Sequence, residues 1–279
     1  MTRTVLITGC STGIGHALAL AFHDRGLQVL ATARRPEALA DLHARGMRCY
    51  ALDVNSADSR AALMAELARD GLAVDVLVNN AGYGAMGPLA EMPQSVLRQQ
   101  FETNVFALVA MTQLVVPDMA RRGSGCVVNI GSVSGVLPTP FSGAYCATKA
   151  AVHALSDAMR VELAPLGIRV MIVQPGGIQS QFGATASQGV AERGEQLSLY
   201  APVADAIAER AGASQENATP ADEFARVMVD AVLADSPSAV VRIGHGSLLM
   251  PLLKRWLPTP VLDRVLSRRF RLDRLAAPR

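Results

Sequence analysis

Short apolar runs of strand length alternate with longer helix-period segments along almost the whole 279-residue chain. The seven runs are Arg3–Thr8, Gln28–Ala33, Arg48–Leu52, Val74–Asn79, Gly125–Gly131, Arg169–Gln174 and Ala239–Gly244. Strands separated by helices form repeated βαβ units, whose strands lie parallel in one sheet. Runs such as Val5-Leu6-Ile7 lack apolar–polar alternation, which is typical of strands covered on both faces by helices. The sequence therefore predicts a doubly wound α/β fold with a seven-stranded parallel sheet.

The strand-and-helix rhythm continues over residues 1–245 without a linker, repeat or low-complexity tract. We therefore predict a single domain over 1–245, followed by an extension over 246–279. The interval 176–219 breaks the rhythm, because it mixes Gly, Ser and Gln with short Ala-rich pieces. A long irregular insertion in a compact domain is usually a lid or a disordered segment. Since this one follows the sixth strand at the carboxyl end of the sheet, we expect a lid over a substrate site.

Composition restricts the class of protein. Hydrophobic residues make up 50% of the chain and the formal net charge is +2, which argues against disorder and against nucleic-acid binding. The four cysteines show neither C-x-x-C spacing nor neighbouring histidines, so we expect neither a metal site nor disulfides. We expect no secretory signal, because Thr2-Arg3 lead directly into a strand-like run, and no apolar run reaches the roughly 18 residues of a membrane span. We expect a cytoplasmic protein.

The extension is basic, with eight Lys or Arg and two Asp between Met250 and Arg279. Leu, Trp, Val and Phe alternate with these charges, which predicts one or two short amphipathic helices. Such helices can lie on an anionic membrane surface as a peripheral contact. Because Pro251, Pro258 and Pro260 interrupt any long surface-lying helix, we favour packing of the apolar face on the body or on a second subunit.

A glycine-rich turn follows the first predicted strand and leads directly into a helical pattern over His16–Arg25. Glycines at such a turn let the backbone approach a pyrophosphate and direct the N–H groups of the helix start at the anion. The spacing is G-x-x-x-G-x-G, and the order of strand, turn and helix indicates a dinucleotide site. The predicted contacts in this turn are Gly9, Ser11, Thr12, Gly13, Ile14 and Gly15.

The end of the second strand indicates which dinucleotide binds. Arg34 and Arg35 stand where NAD-binding folds usually carry an acid for the ribose hydroxyls. A guanidinium beside Ser11 would instead pair with a 2′-phosphate. The alternative is that both arginines are solvated loop residues, each worth about 0–1 kcal/mol in surface pairing. We predict NADP(H) as the cofactor, with Arg34 as the phosphate ligand.

Tyr145 and Lys149 are four residues apart in a helical segment over Ser142–Leu166, so both side chains share one face. An ammonium near a phenol favours the phenolate. We expect the tyrosine pKa to fall from about 10 toward about 7, with help from the positive ring of an oxidised nicotinamide. Ser132 comes just past the strand Gly125–Gly131, at the carboxyl edge where α/β folds bind ligands. Alone the Tyr–Lys pair is weak evidence, but with Ser132 it predicts proton transfer at a substrate oxygen.

In these motifs the chain resembles the short-chain dehydrogenase/reductase family, in the branch with the T-G-x-x-x-G-x-G turn. The resemblance covers about residues 3–245 and implies a Rossmann-type domain. Its motifs, in the family's order, are Thr8–Gly15, Asp53-Val54, Asn79-Asn80-Ala81-Gly82, Asn104, Ser132, Tyr145 with Lys149, and Pro175-Gly176. The chain is most similar to the hydroxysteroid and retinol dehydrogenases, through Thr8–Ser11 and Ala31–Arg34, which suggests a lipophilic substrate.

The resemblance implies a role for each matched residue. Tyr145 would be the acid–base group, Ser132 the donor that polarises the carbonyl, and Lys149 both a ribose ligand and the charge that lowers the tyrosine pKa. Asn104 would hold a water in a proton relay to Lys149. Further cofactor contacts would come from Asp53, Val54, Asn80, Ala81, Gly82, Pro175, Gly176, Ile178 and Ser180. The chain departs from the family at Ser180, where threonine is frequent, and at Gly131, where serine is frequent.

We therefore expect an NADP(H)-dependent oxidoreductase that interconverts a carbonyl and an alcohol on a lipophilic small molecule, and that assembles as a homo-oligomer, a dimer or tetramer. Two alternatives stay open. An idle NADP(H)-binding sensor or scaffold of the same fold would lack one of Ser132, Tyr145 and Lys149, and all three are present. An epimerase or dehydratase would normally carry a different glycine spacing.

Overall fold

The computed structural model describes residues 2–193 and 197–275, and one parallel sheet runs through its centre. The strands are β1 (Thr4–Ile7), β2 (Gln28–Ala33), β3 (Arg48–Ala51), β4 (Val76–Asn79), β5 (Gly125–Ile130), β6 (Ile168–Pro175) and β7 (Val240–Ile243). Each lies within two residues of its predicted ends. The spatial order is β3-β2-β1-β4-β5-β6-β7, and every neighbouring pair is parallel. The prediction of a doubly wound seven-stranded parallel sheet is confirmed.

Helices cover both faces of the sheet. They are α1 (Gly13–Asp24), α2 (Ala40–Ala44), α3 (Ala57–Arg69), α4 (Gln94–Phe101), α5 (Ala107–Arg122), α6 (Gly143–Leu163), α7 (Phe182–Arg193), α8 (Ala204–Gly212), α9 (Ala221–Leu233), α10 (Leu249–Trp256) and α11 (Thr259–Arg269). α1 and α9 pack on one face, whereas α3, α5 and α6 pack on the other.

Successive strand residues point to opposite faces, and both faces are apolar. In β1, Val5 and Ile7 join the cluster that contains Phe22 of α1. Leu6, between them, joins the cluster that contains Leu63 of α3. All three strand residues are fully buried. A strand buried on both sides needs a continuous apolar run, which is the pattern that the sequence shows.

A π-helical turn at Glu102–Phe106 joins α4 and α5 into one helix over Gln94–Arg122. By length and composition alone, this helix is apolar enough to cross a membrane. Met111, Val115 and Met119 on it nevertheless pack against the sheet. The apolar content of this helix is thus explained by its place in the core.

Residues 176–219, which we expected to be irregular, contain α7 and α8, and these two helices pack on each other. The segment is tied to the sheet at its start and end. Gly177 bridges His245, just past β7, and Ile178 bridges Thr219. The short Ala-rich pieces are the inward faces of the two helices, because Ala186 and Ala206 are buried there.

The basic extension forms α10 and α11, and α11 packs on the body of the chain. Leu262 and Phe270 are buried, and the Phe270 ring meets Phe141 edge-on, with 6.0 Å between the ring centroids. The surrounding cluster includes Val203, which directly precedes α8, and Ile207 of α8. The apolar face of α11 therefore has its cover within this chain.

Ion pairs hold the other side of this contact. Three arginines of the extension pair with two acids of α8: Arg269 and Arg271 with Glu209, and Arg271 and Arg274 with Asp205.

The outward face of α10 and the residue before it are not covered in this way, because Leu248, Leu252 and Trp256 are all more than half exposed. Contact of the extension with a membrane surface, and the homo-oligomer, stay predictions.

If the inner contact of the extension stabilises the fold, Phe270→Ala should lower the free energy of unfolding by about 3 kcal/mol, as large-to-small substitutions in cores do. Trp256→Ala is the matched control, since its side chain is 71% exposed, and it should change stability by less than about 0.5 kcal/mol. Urea denaturation of both variants measures the difference. Equal effects would show that α11 is not docked.

Candidate active site

A cleft opens at the carboxyl ends of β1 and β4, where the order of the strands reverses. β1 pairs with β2 on one side and with β4 on the other, so the chain segments that leave β1 and β4 turn to opposite faces. The cleft is a cavity of about 850 Å³. Of the predicted catalytic and cofactor residues, all except Asn104 line this one cavity.

The turn after β1 needs glycine at specific positions. Gly9 adopts φ 75° and Gly13 φ 59°, in the left-handed region that glycine occupies without strain. Gly15 has an ordinary backbone, but a Cβ there would lie 2.1 Å from the Gly9 carbonyl oxygen and 2.5 Å from Nδ2 of Asn80. The glycines therefore serve the tight turn and its contact with the loop after β4, and they leave the start of α1 open to the cavity.

Side chains fasten this turn to the loop after β4. The Asn80 amide donates to the backbone oxygens of Thr8 (2.9 Å) and Gly9 (3.0 Å). The Thr8 hydroxyl oxygen accepts from the backbone N–H groups of Asn80 and Ala81, both at 3.0 Å. Asn80 thus stabilises the turn after β1 in addition to lining the cavity. Gly82 follows at the wall, close to Asn104.

Arg34, Asp53 and Val54 line the far end of the cavity, past the ends of β2 and β3. Arg34 is exposed and forms no ion pair with any residue in 2–193 or 197–275. Arg35, its neighbour, does not line the cavity. The Asp53 carboxylate accepts from the backbone N–H of Asn55 at 3.0 Å. Only one of the two arginines is therefore placed to contact a ligand.

Ser132, Tyr145 and Lys149 converge on the middle of the cavity. Ser132 follows β5, and its hydroxyl accepts from the Ser134 backbone N–H at 3.1 Å and lowers the pKa of the nearby Tyr145 phenol. The Lys149 ammonium lies 5.8 Å from the centroid of the Tyr145 ring and donates to the Ile130 backbone oxygen at 2.7 Å. Tyr145 also contacts Phe182 of α7, with 5.1 Å between the ring centroids.

The expected fall of the tyrosine pKa is wrong for the protein's own residues. Burial raises the pKa of Tyr145 to about 12, and the Ser132 hydroxyl and the Arg210 charge offset that rise only in part. Burial also lowers the pKa of Lys149 to about 8. The loss of hydration disfavours both the phenolate and the ammonium, and it is the largest cause of both pKa shifts. Tyr145 is therefore a protonated phenol at neutral pH.

Asn104 lies behind the cavity wall, in the π-helical turn between α4 and α5. Its side chain is buried and fully engaged. The amide nitrogen donates to the Tyr83 backbone oxygen (2.9 Å) and to the Thr148 hydroxyl (3.1 Å), and the amide oxygen accepts from the Tyr83 N–H. π-Helical turns are frequent at functional sites. Asn104 positions the neighbour of Lys149 in this structure, and its role in a proton relay stays a prediction.

The segment after β6 forms another wall of the cavity. Pro175, Gly176, Ile178 and Ser180 all line it. A Cβ at Gly176 would lie 1.9 Å from the backbone oxygen of His245, so only glycine allows the chain to pass there. The Ser180 hydroxyl accepts from the backbone N–H of Phe182 at 3.3 Å, which ties the start of α7 to this wall.

The imidazole of His153 contacts the backbone of Ser132, and no sequence motif had singled out this histidine. Its Nε2 accepts weakly from the Ser132 backbone N–H at 3.4 Å, and its Nδ1 lies 3.5 Å from the Gln174 amide nitrogen. A Cβ at Gly131 would lie 2.7 Å from the imidazole, which explains the glycine at that position. The sequence signal was the spacing, since His153 comes one helical turn after Lys149.

Apolar residues from the segments around α7 and α10 close the remaining side of the cavity. They include Met86, Leu137, Phe182, Leu249, Met250 and Leu253. Arg210 of α8 lines the same region. None of these residues stands in a recognisable motif. They come together only when 176–219 and the extension pack against the body of the chain. The predicted lid thus corresponds to helices that form a wall of the site.

The family model of the short chain dehydrogenases matches residues 3–191 of this sequence. The chain belongs to the short-chain dehydrogenase family. It is similar to the uncharacterised oxidoreductase YbbO of Escherichia coli K12, with 32% identity over 269 residues that cover 96% of this chain and 95% of that protein.

Two solved structures are also similar to this chain. One is a short-chain dehydrogenase from Streptomyces avermitilis, with 31% identity, 98% of each chain covered and a TM-score of 0.75. The other is a serine dehydrogenase in complex with NADP⁺, with 27% identity, a TM-score of 0.75, and 87% of this chain and 94% of that chain covered. The chain is thus an oxidoreductase of this family that uses a nicotinamide dinucleotide.

The buried imidazole makes stability depend on pH. Burial lowers the pKa of His153 to about 4, whereas an unfolded histidine titrates near about 6.5. Between these values the unfolded chain binds more protons, so stability should fall as the pH falls from about 6.5 to about 4. His153→Gln should lose part of that dependence. Thermal unfolding between pH 4 and pH 7 measures it.

His43→Gln is the matched control, because this histidine of α2 is exposed. The control should keep the pH profile of the parent protein. A His153→Gln profile that overlays the parent profile would show that the imidazole is not held neutral by the fold.

Proposed function

We propose that this protein is an NADP(H)-dependent oxidoreductase that interconverts a carbonyl and an alcohol. The observation that carries the proposal is the convergence of Ser132, Tyr145 and Lys149 with the glycine turn in a single cavity. Membership of the short-chain dehydrogenase family supports the reaction class. The intact set of three residues argues against the alternative of an idle NADP(H)-binding sensor or scaffold.

The residues present divide the chemistry among them. When bound, the reduced nicotinamide supplies a hydride to the carbonyl carbon. The Ser132 hydroxyl would donate to the carbonyl oxygen, and the Tyr145 phenol would give its proton to the alkoxide that develops there. Because burial raises the pKa of Tyr145 to about 12, the phenol carries that proton at neutral pH. Lys149 would hold the ribose hydroxyls, since it lines the cavity and its ammonium is held there by the Ile130 backbone oxygen.

The preference for NADP(H) is supported by the end of β2. Arg34 lines the cavity there, and no acid follows the strand. A guanidinium can bind a phosphate monoester in a bidentate manner. The similar serine dehydrogenase binds NADP⁺, which agrees with this assignment.

The substrate we propose is a lipophilic small molecule, because the wall formed by Phe182, Met250 and Leu253 is apolar. The predicted similarity to hydroxysteroid and retinol dehydrogenases finds no specific support in the comparisons and stays a prediction. A panel of steroids, retinoids and medium-chain ketones, assayed with NADPH at 340 nm, identifies the best substrate.

On that substrate, Tyr145→Phe should lower kcat by roughly 10²- to 10⁴-fold, because only the proton donor is lost. NADPH binding should stay within a few-fold of the parent, since the ring is retained. Absorbance at 340 nm follows turnover and quenching of NADPH fluorescence follows binding. Turnover within tenfold of the parent would mean that another group transfers the proton.

Arg34→Asp should raise the KM for NADPH at least tenfold and improve the use of NADH, because a phosphate partner becomes an acceptor for ribose hydroxyls. Arg35→Asp is the matched control, with the same change of charge one residue away and outside the cavity wall. Steady-state kinetics with both cofactors measures the two variants. An equal effect of both substitutions would rule out a specific phosphate contact by Arg34.

A further inference from the structure

Arg210 of α8 reaches across the cavity to the start of α6. Its Nε donates to the Thr139 hydroxyl at 3.0 Å, and one terminal nitrogen, Nη2, donates to the Ser142 hydroxyl at 3.2 Å. Ser142 immediately precedes α6 and stands one helical turn before Tyr145. The guanidinium thus lies on the same cavity wall as the proton donor.

Arg210 has no acidic partner in the part of the chain that the structure describes, because none of the ion pairs within residues 2–193 and 197–275 includes it. The acids of its own helix, Asp205 and Glu209, pair with arginines of the extension instead. The titratable groups that face Arg210 are the Tyr145 phenol and the Cys146 thiol, and neither is a carboxylate.

The position is costly for a cation. The Arg210 residue is half-buried, and this burial lowers the pKa of its guanidinium, because the charged form loses part of its hydration. Two neutral hydroxyls replace only part of that hydration. The other terminal nitrogen, Nη1, has no hydrogen-bond partner among the described residues, and the residue faces the cavity. Arg210 is half-buried, and a partly dehydrated charge with no counterion among the described residues favours a ligand as its partner.

We propose that Arg210 binds an oxyanion of the substrate, a carboxylate or a phosphate ester, while the apolar wall around Phe182 and Leu253 holds its hydrocarbon part. This inference rests on the proposed function and narrows its substrate class. A planar guanidinium presents paired N–H donors that match the two oxygens of such a group. The positive end of α6 adds to the attraction.

The geometry also limits the substrate's shape. Arg210 is anchored at Ser142, and Tyr145 lies three residues further along the same helix. Residues at this spacing are neighbours on a helix surface, with their Cβ atoms about 5–6 Å apart. The oxyanion and the reacting carbonyl are therefore separated by a few bonds. An oxo acid with an apolar chain has this arrangement, whereas an unmodified steroid or retinol does not.

A purely structural role for Arg210 is a weaker explanation. A neutral glutamine, whose amide nitrogen stands at the position of the arginine Nε, would make the hydrogen bond to Thr139 without an unpaired charge. Stabilisation of a Tyr145 phenolate is a minor effect, because the Arg210 charge leaves the pKa of Tyr145 at about 12. If that were its role, replacement would shift the pH profile of turnover on a neutral ketone.

The test compares an acid with its neutral ester. Decanoate, decyl phosphate and methyl decanoate are titrated by calorimetry into the enzyme saturated with NADP⁺. The parent protein should bind at least one of the two anions roughly 10- to 100-fold more tightly than the ester. Arg210→Gln should abolish this preference without weakening the binding of the ester. Arg210→Lys, which keeps the charge but not the planar fork, should keep a reduced preference.

Arg269→Gln is the matched control. This arginine lines the same cavity but is already paired with Glu209, so its loss should leave the preference for the anion unchanged. Equal binding of anion and ester by the parent, no binding of any probe, or a preference that survives in Arg210→Gln would overturn the proposal.

Reduction of 2-decanone with NADPH separates this inference from the proposed function. A protein that reduces the neutral ketone but does not discriminate acid from ester is a reductase without an oxyanion site at Arg210. If the protein binds decanoate through Arg210 but reduces neither 2-decanone nor 4-oxodecanoate, the oxyanion site is supported and the proposed function is contradicted. An unchanged pH profile of 2-decanone reduction in Arg210→Gln would complete the support for a binding role.

Discussion

The parallel pairing of β1 with β4 at the middle of the sheet is the constraint on which the site depends. The chain builds β1, β2 and β3 outward in one direction and then returns to place β4 on the other side of β1. The loops that leave β1 and β4 therefore diverge, and the cavity opens between them. Thr8 and Asn80 hold the two loops at a constant separation through four hydrogen bonds. Every other part of the site is placed relative to this cleft.

Burial in the cavity wall then changes the pKa values of the side chains there. A phenol, an ammonium and a guanidinium all lie in the same partly dehydrated space, and burial shifts each of them toward its neutral form. For Tyr145 this favours the role of proton donor, because the phenol stays protonated at neutral pH. For Arg210, which cannot give up its proton under ordinary conditions, the same environment leaves a charge in need of a partner. One physical cause thus accounts for both the proton donor and the proposed oxyanion site.

Much of the cofactor end was predictable because its signals are local. Glycines at a strand-to-helix turn, the missing acid after β2, and a tyrosine and lysine one helical turn apart each lie within a few residues of sequence. The other end was not predictable in this way. His153, Phe182 and Arg210 come from segments without a motif, and their contacts with Ser132, Tyr145 and Ser142 form only when distant segments pack. The expected pKa of Tyr145 failed for the same reason, since burial is not visible in the spacing of two residues.

The sequence by itself determined the number of strands and their places along the chain, the covering of the sheet on both faces, and the places of the glycine turn and of Ser132, Tyr145 and Lys149. These follow from apolar periodicity and from short-range geometry, which depend on neighbouring residues alone. Only the tertiary structure decided that α7, α8 and α10 close the cavity, and that α11 docks by its apolar face. It also decided that the acids of α8 pair with arginines of the extension. Among the described residues, that pairing leaves Arg210 without a carboxylate, because the charge balance of a site depends on which chain segments meet there.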